Sequence, residues 1–190
     1  MEQTKDNKRH VFLTGPPRVG KTTVILKVIE RLRFRGVKIG GMISREILEG
    51  GRRVGFKIID LKANREGILA HVKQKSGPRV GKYRVCLKDL SEIGARAILE
   101  ACREASLIVI DEVGPMELYS REFKKAVSEA LDSGKIVLGT IHYRARTAFT
   151  NSIRGRGDVD LIEVTYENRD NLPERITREI LERINKAGGG

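Results

Sequence analysis

The stretch Gly15-Pro16-Pro17-Arg18-Val19-Gly20-Lys21-Thr22 follows the pattern G-x-x-x-x-G-K-T, the signature of a phosphate-binding loop. Residues 10–14 before it are mostly apolar or β-branched, which predicts a buried strand. Residues 23–32 after it place apolar side chains at helical spacing. Strand, glycine-containing loop and helix therefore come in the order that phosphate binding at a helix N-terminus requires.

The chemistry of this loop follows from its backbone. The first turn of a helix has N–H groups without an intrahelical partner, and the helix dipole adds positive charge there. We expect Lys21 to act as a catalytic residue on the β- and γ-phosphates, and Thr22 to hold Mg²⁺ through its hydroxyl. The predicted phosphate contacts are Gly15, Pro16, Pro17, Arg18, Val19, Gly20, Lys21, Thr22 and Thr23.

Length and composition favour one α/β domain over residues 1–190, with 1–9 and 188–190 as flexible tails. A chain of 190 residues with 39% hydrophobic residues can bury a substantial core. The net charge of +12 suits an anionic partner, either a nucleotide or a nucleic acid. An ion-pair-rich surface explains the charge equally well. Aromatic residues make up only 5% and do not alternate with basic ones, so nucleic-acid binding is not favoured.

Cellular context is predicted from what the chain contains. Cys86 and Cys102 occur without a C-x-x-C pair or metal-ligand spacing, which indicates reduced core thiols in a cytoplasmic protein. We see no signal-peptide pattern and no apolar run of membrane-spanning length. Nothing in the sequence demands more than a monomer.

The order of predicted elements indicates a mostly parallel sheet with an inserted antiparallel block. Extended runs on either side of Gly50-Gly51 predict a hairpin. Further short strands follow, the last over 83–87. Helical periodicity returns at 90–101, and a helix is expected to begin after Ser120. Residues 142–160 are expected to be irregular, followed by a strand over 161–165 and a final helix over 172–187.

A second candidate site lies at the end of the apolar run 107–110, where Asp111 and Glu112 follow. Ligands of open α/β sheets bind at the carboxyl ends of the strands, where the phosphate-binding loop also lies. Asp111 would hold the Mg²⁺ shell together with Thr22, and Glu112 would orient or deprotonate the attacking water. The alternative is an acidic pair that simply ends a strand and caps the next turn.

A basic segment after the next strand supplies a third candidate. Arg144 or Arg146 could stabilise transition-state charge near the γ-phosphate, and the segment could act as a lid. A solvated loop is the alternative. His142 stands beside this segment and is a weaker catalytic candidate.

Six segments together resemble the thermophile nucleoside-triphosphatase family, whose human member is the cancer-related nucleoside triphosphatase. They are 10–17, 19–23, Gly55-Phe56, 80–83, 110–118 and 167–169, and the motif Asp-Glu-x-Gly-x-Met-Glu-Leu is the most specific of them. The resemblance implies a RecA-like P-loop three-layer α/β/α sandwich that hydrolyses nucleoside triphosphates, ATP and GTP among them, to diphosphate and phosphate. It also implies Mg²⁺ dependence and loose base selectivity. Carried over by motif, Asp111, Glu112, Val113 and Gly114 complete the metal and water site, and Asn168 and Arg169 contact base or ribose.

Two positions depart from the family pattern. Arg18 stands where glycine is common, and Pro115 stands where lysine is common. The first departure puts turnover in doubt more than binding, and the second would require Arg144 or Arg146 to substitute for a catalytic lysine. Two rival functions stay open: a nucleotide-kinase-like phosphotransferase, whose acceptor pocket residues 42–87 could help build, and a nucleotide-switched nucleic-acid-binding protein.

Overall fold

A computed structural model of the protein describes residues 8–188. The strands are β1 His10–Thr14, β2 Ile39–Glu49, β3 Arg52–Asp60, β4 Glu66–His71, β5 Arg79–Val80, β6 Tyr83–Val85, β7 Leu107–Val113, β8 Ile136–Ile141 and β9 Val159–Glu163. The α-helices are α1 Lys21–Phe34, α2 Leu87–Asp89, α3 Arg96–Glu104, α4 Arg121–Asp132, α5 Ala148–Arg154 and α6 Leu172–Gly188. A π-helical segment, Leu90–Ala95, joins α2 to α3, and a 3₁₀ turn, Glu117–Tyr119, precedes α4.

All nine of these strands form one sheet in the order β5-β6-β4-β3-β2-β7-β8-β1-β9. The strands from β2 to β9 in that order are parallel, and β3 to β6 continue the same sheet as an antiparallel extension. The predicted α/β fold with an inserted antiparallel block is therefore confirmed. One strand, β8, lies between β1, which precedes the phosphate-binding loop, and β7, which carries Asp111 and Glu112. The carboxyl end of β8 therefore lies between the two predicted halves of the site.

Helices cover both faces of the parallel strands. The core on one face includes Val28 and Ile29 of α1 together with Ile176 and Ile180 of α6. The core on the other face is built from α3, α4 and the π-helical segment. Because β1, β7 and β8 are covered on both sides, their sequences are nearly continuous apolar runs. This is the three-layer α/β/α arrangement.

Local signals explain where two of the helices begin. The Phe123 N–H donates to Ser120 Oγ at 3.0 Å, so Ser120 is the predicted N-cap of α4. At α5, Thr147 and Thr150 form a reciprocal capping box. The expectation of an irregular segment over 142–160 is wrong at this point, because the hydroxyls of these two threonines begin a short helix that the hydrophobic spacing does not indicate.

Three further boundaries differ from the sequence prediction. The last predicted strand, 161–165, is observed as β9 two residues earlier, because it follows the register of its pairing with β1. Leu87 begins α2 instead of ending a strand.

Of the predicted amino-terminal tail, residues 1–7 lie outside the described part, whereas Lys8 donates to the Val159 carbonyl and Arg9 to that of Asp158. At the other end, Gly188 is the last residue of α6, and 189–190 lie outside the described part. In residues 8–188 no helix is long and apolar enough to cross a membrane.

Candidate nucleotide site

The phosphate-binding loop leaves β1 and enters α1 with its backbone in unusual conformations. Gly15 has φ 144°, and a Cβ on it would lie 2.7 Å from the Val164 carbonyl oxygen. Gly20 has φ 110° directly before the first turn of α1. Arg18 has φ 65°, a left-handed conformation that costs a non-glycine residue about 1–2 kcal/mol. The two glycines are therefore required by geometry. Arg18 adopts a left-handed backbone conformation that glycine would adopt at lower energetic cost.

Lys21, the first residue of α1, turns its side chain back over this loop. Its Nζ donates to the carbonyl oxygens of Gly15 at 2.9 Å and Pro16 at 3.2 Å. The ammonium is thus held at the mouth of the loop, where a polyphosphate would bind. Not all predicted contacts face this space: Val19 and Val113 have side chains buried in the core, so only their backbones are available to a ligand. The assignment of these two valines to the site therefore stays a prediction that concerns their backbones.

Asp111, near the end of β7, has two carboxylate oxygens in different situations. Thr140 of β8 donates its hydroxyl to Oδ1, while Oδ2 is buried and has no partner among residues 8–188. Burial raises the pKa of Asp111, and the nearby hydroxyls of Thr140 and Thr22 oppose that rise. A buried carboxylate oxygen without a donor, beside a threonine hydroxyl, is the oxygen-rich setting that Mg²⁺ prefers. Thr22 and Asp111 therefore fit the predicted metal site.

Glu112 and Glu117 form an acidic pair next to Asp111. A Cβ placed on Gly114 would lie 2.8 Å from Glu112 Oε1 and 3.2 Å from Glu117 Oε2, so both carboxyl groups converge at this glycine. Burial, followed by repulsion from Asp111, raises the pKa of Glu112 to about 7. Burial, followed by repulsion from Glu112, raises the pKa of Glu117 to about 8. A carboxyl group with a pKa near neutrality can accept a proton from water during a reaction and return it.

A cavity of about 260 Å³ connects these acids to the phosphate loop. Lys21 and Glu112 line it on one side, and Phe56, Leu69 and Val80 of the antiparallel strands line it on the other. Arg53 closes it further: its guanidinium lies 5.0 Å from the Phe56 ring centroid and donates to the Tyr83 hydroxyl and to Glu46. The inserted block thus forms one wall of the cavity that contains Lys21 and Glu112. A neighbouring cavity of about 580 Å³ is lined by Arg18, Thr22, Thr23, Ser44 and Asp111, among others.

The loop after β9 reaches the phosphate loop through Arg169. Its Nη1 donates to the Val19 carbonyl at 3.4 Å, and its guanidinium lies 4.9 Å from the ring centroid of exposed Tyr166. Asn168 uses its amide within its own loop: Oδ1 accepts from the Thr165 N–H, and Nδ2 donates to the Glu163 carbonyl. Arg169 is therefore placed against the phosphate loop, whereas the Asn168 side chain holds the turn.

The two arginines predicted for the transition state lie elsewhere. Arg144 and Arg146 are exposed and line a cavity of about 600 Å³ that includes neither Lys21 nor Glu112. His142 lies at the 260 Å³ cavity, and burial is the main cause that lowers its pKa. The catalytic role of the two arginines stays a prediction, and His142 shares the cavity of Glu112 and Glu117, which the two arginines do not line.

Several residues of the site carry a weak sequence signal. Thr140 is a polar residue in the otherwise apolar run of β8, and a buried hydroxyl in such a run needs a partner. Glu117 belongs to the Asp-Glu-x-Gly-x-Met-Glu-Leu motif. Phe56 belongs to the Gly55-Phe56 segment of the family resemblance. Ser44 and Arg53 have no local signal, because only the folding of the hairpin brings them to the cavity.

The fold and the site define a P-loop nucleotide-binding protein, in which a phosphate loop and an acidic strand end meet at the carboxyl edge of a parallel sheet. A family model described as NTPase matches residues 10–177, and the chain belongs to that family.

Relatives and solved structures agree with this assignment. The chain is 53% identical over 175 residues to "Nucleoside-triphosphatase THEP1" of Thermofilum pendens, covering 90% of this chain and 95% of that protein. The protein of the same name from Methanocaldococcus jannaschii is 44% identical, covering 90% of this chain and 96% of that protein. The crystal structure of THEP1 from the hyperthermophile Aquifex aeolicus matches with a TM-score of 0.79 at 35% identity, covering 88% of this chain and 96% of that one. The solution structure of a human cancer-related nucleoside triphosphatase matches with a TM-score of 0.78 at 39% identity, covering 90% and 97%.

Proposed function

We propose that this protein is a Mg²⁺-dependent enzyme, acting as one domain, that hydrolyses nucleoside triphosphates to diphosphates and phosphate. The observation that carries the proposal is the unpartnered, buried Asp111 Oδ2 beside Thr22, at the carboxyl edge where Lys21 and Glu112 share a cavity. The names of its relatives, nucleoside-triphosphatase THEP1, point to the same reaction.

Each residue has a defined task in this reaction. The loop N–H groups and Lys21 bind the β- and γ-phosphates, and Thr22 with Asp111 would hold Mg²⁺, which neutralises phosphate charge when bound. Glu112 orients a water molecule in line with the γ-phosphate and takes its proton as the bond to phosphorus forms. Lys21 stabilises the negative charge that develops on the β–γ bridging oxygen as that bond breaks.

Loose base selectivity is part of the proposal. The loop after β9 uses the Asn168 amide within its own turn, and Arg169 contacts the backbone of the phosphate loop. Few polar side chains are thus left to read the edge of a base, so recognition of the triphosphate dominates binding.

Phosphate release from ATP, GTP, CTP and UTP, with Mg²⁺ and with EDTA, tests the proposal. We expect release from all four that EDTA abolishes and that Glu112→Gln lowers by about 100-fold or more, with nucleotide affinity retained. The exposed residue Glu30 of α1 supplies a matched control, Glu30→Gln, which should leave release unchanged. Unaltered release by Glu112→Gln would overturn the role of Glu112, and nucleotide binding without any release would overturn the hydrolase.

A phosphotransferase is the second candidate, favoured by the 260 Å³ cavity beside Lys21 and Glu112. Its apolar wall of Phe56, Leu69 and Val80 could seat the body of an acceptor, with a hydroxyl in place of the attacking water. Loss of nucleotide that depends on an added nucleoside or nucleoside monophosphate, without free phosphate, would establish it. Equal release with and without such compounds would exclude them as acceptors.

A further inference from the structure

A cavity of about 600 Å³ lies apart from the phosphate loop, on the opposite face of the sheet from α1. It is lined by Thr14, Tyr143, Arg144, Arg146, Arg154, Leu161 and Glu163. Thr14 points to this face because it alternates with Leu13, which packs against α1 and α6. The residues come from the ends of β1 and β9 and from the segment after β8, so the cavity opens at the same carboxyl edge as the nucleotide site.

Two residues that line this cavity each have a buried polar side-chain atom without a partner among residues 8–188. Thr14 is 6% exposed, and its Oγ1 is one of them. The other is Nε of Arg154, whose Nη2 donates to the His142 carbonyl at 2.9 Å. A buried hydroxyl and a buried guanidinium N–H each lose about 1–3 kcal/mol when left without a hydrogen bond. Both atoms can donate a hydrogen bond, so an acceptor atom of a ligand could satisfy each of them.

The charge of the cavity is positive. Arg144, Arg146 and Arg154 take part in no ion pair within the described part of the chain, whereas Arg156, two residues beyond Arg154, pairs with Asp132 and Asp158. Glu163 is the one acidic residue in the lining. Burial, followed by the proximity of Arg146, lowers the pKa of Arg154.

Tyr143 connects this cavity to the reaction site, because it lines both this cavity and the one that contains Lys21 and Glu112. The two cavities therefore adjoin at Tyr143, and the three arginines line the second of them. Guanidinium groups bind phosphate through parallel hydrogen bonds, which suits a tetrahedral oxyanion.

We propose that the cavity of Thr14, Arg144, Arg146 and Arg154 is a second phosphate-binding site, which receives inorganic phosphate after hydrolysis. The occupant is a free phosphate ion and not a phosphate group of the bound nucleotide, because the phosphate loop and Lys21 line other cavities. The product role rests on the proposed function, whereas binding of phosphate to the cavity does not require turnover.

Calorimetric titration with sodium phosphate, at constant ionic strength, tests this site. The protein is first saturated with Mg²⁺ and a non-hydrolysable triphosphate analogue, so that the phosphate loop is occupied. We expect one phosphate to bind per chain, and Arg144→Ala/Arg146→Ala to weaken that binding roughly tenfold or more while the analogue binds as before. The exposed pair Arg121→Ala/Arg178→Ala, which removes the same charge from α4 and α6, should have little effect.

Thr14→Val supplies an independent variant that keeps the shape of the side chain. We expect about fivefold weaker phosphate binding with a urea midpoint that is unchanged or higher, because a hydroxyl without a partner is removed. No phosphate binding to the analogue-loaded protein, or equal weakening by both double variants, would overturn the site. Weaker analogue binding by Arg144→Ala/Arg146→Ala would also overturn it, by assigning the arginines to the nucleotide. Phosphate binding in a protein that releases none from nucleotides would overturn only the hydrolase and the product role.

Discussion

Thr140 donates its hydroxyl to Asp111 Oδ1 across neighbouring strands β8 and β7, and this contact leaves Oδ2 of the same carboxylate without a partner. The two residues are 29 positions apart in the chain. The contact arises because β8 lies between the phosphate-loop strand and the acidic strand. One oxygen is thereby held in place while the other stays available beside Thr22.

Replacing Thr140 by valine should damage both stability and activity. The variant keeps the shape but removes the donor, so the buried carboxylate loses a hydrogen bond to a charged group, worth about 1.5–3 kcal/mol. We expect the free energy of unfolding, measured in urea, to fall by a corresponding amount. Phosphate release should need a higher Mg²⁺ concentration than in the wild type. Thr140→Ser keeps the hydroxyl and should retain most of the wild-type urea midpoint and most of the wild-type Mg²⁺ dependence. A valine variant with the wild-type Mg²⁺ dependence would show that Thr140 does not orient Asp111.

Arg18→Gly should stabilise the protein, because Arg18 adopts φ 65°. Relief of the left-handed conformation is worth about 1–2 kcal/mol, and the greater freedom of an unfolded glycine cancels part of it. We expect a net gain of about 0.5–1 kcal/mol in the free energy of unfolding, measured in urea. Arg18→Ala removes the same charge but keeps the strain, so it should show no such gain. If both variants behave alike, the effect belongs to the arginine side chain and not to the backbone.

His10 should make stability fall in mild acid. Its side chain is fully buried, its Nδ1 accepts from the Val137 N–H, and burial lowers its pKa from 6.5 to about 4. Between these two values the unfolded chain binds a proton that the folded chain does not, so stability falls as the pH drops from about 6.5 towards 4. This residue accounts for about 3 kcal/mol of that loss.

Urea unfolding of His10→Asn at several pH values measures the contribution of His10. Asparagine keeps an acceptor for Val137 but does not titrate in this range, so the difference between the two proteins should shrink as the pH falls from 7 to 4. Parallel stability curves would contradict the prediction.

Arg169→Ala should weaken nucleotide binding without changing base preference. Arg169 contacts the Val19 carbonyl of the phosphate loop, so its loss affects the part of the site that every triphosphate shares. We expect the Kd values for ATP, GTP, CTP and UTP to rise by a similar factor, about fivefold for one hydrogen bond. Arg178→Ala on α6 is the control. A rise confined to one base would instead establish the direct base contact that the family resemblance implies.

Short-range patterns were sufficient for the elements that carry the chemistry. The G-x-x-x-x-G-K-T spacing, the buried run before Asp111 and the N-cap at Ser120 each depend on neighbours in the chain, and all three are observed. The hairpin around Gly50-Gly51 is predictable for the same reason. The helix α5 was missed, because its start depends on two threonine hydroxyls and not on hydrophobic periodicity.

Local sequence patterns thus predict the class of fold, the phosphate-binding loop and the acidic residues that end β7. The side chains that meet them follow from the packing of distant strands: Thr140 at Asp111, Glu117 at Glu112, and Phe56 of the inserted hairpin at the cavity wall. The tertiary structure also separated Arg144 and Arg146 from Lys21 and joined them to Thr14 and Arg154. The physical reason is that a strand's own residues specify its burial, whereas strand order and register specify which strand ends are neighbours, and those arise from contacts distant in the chain.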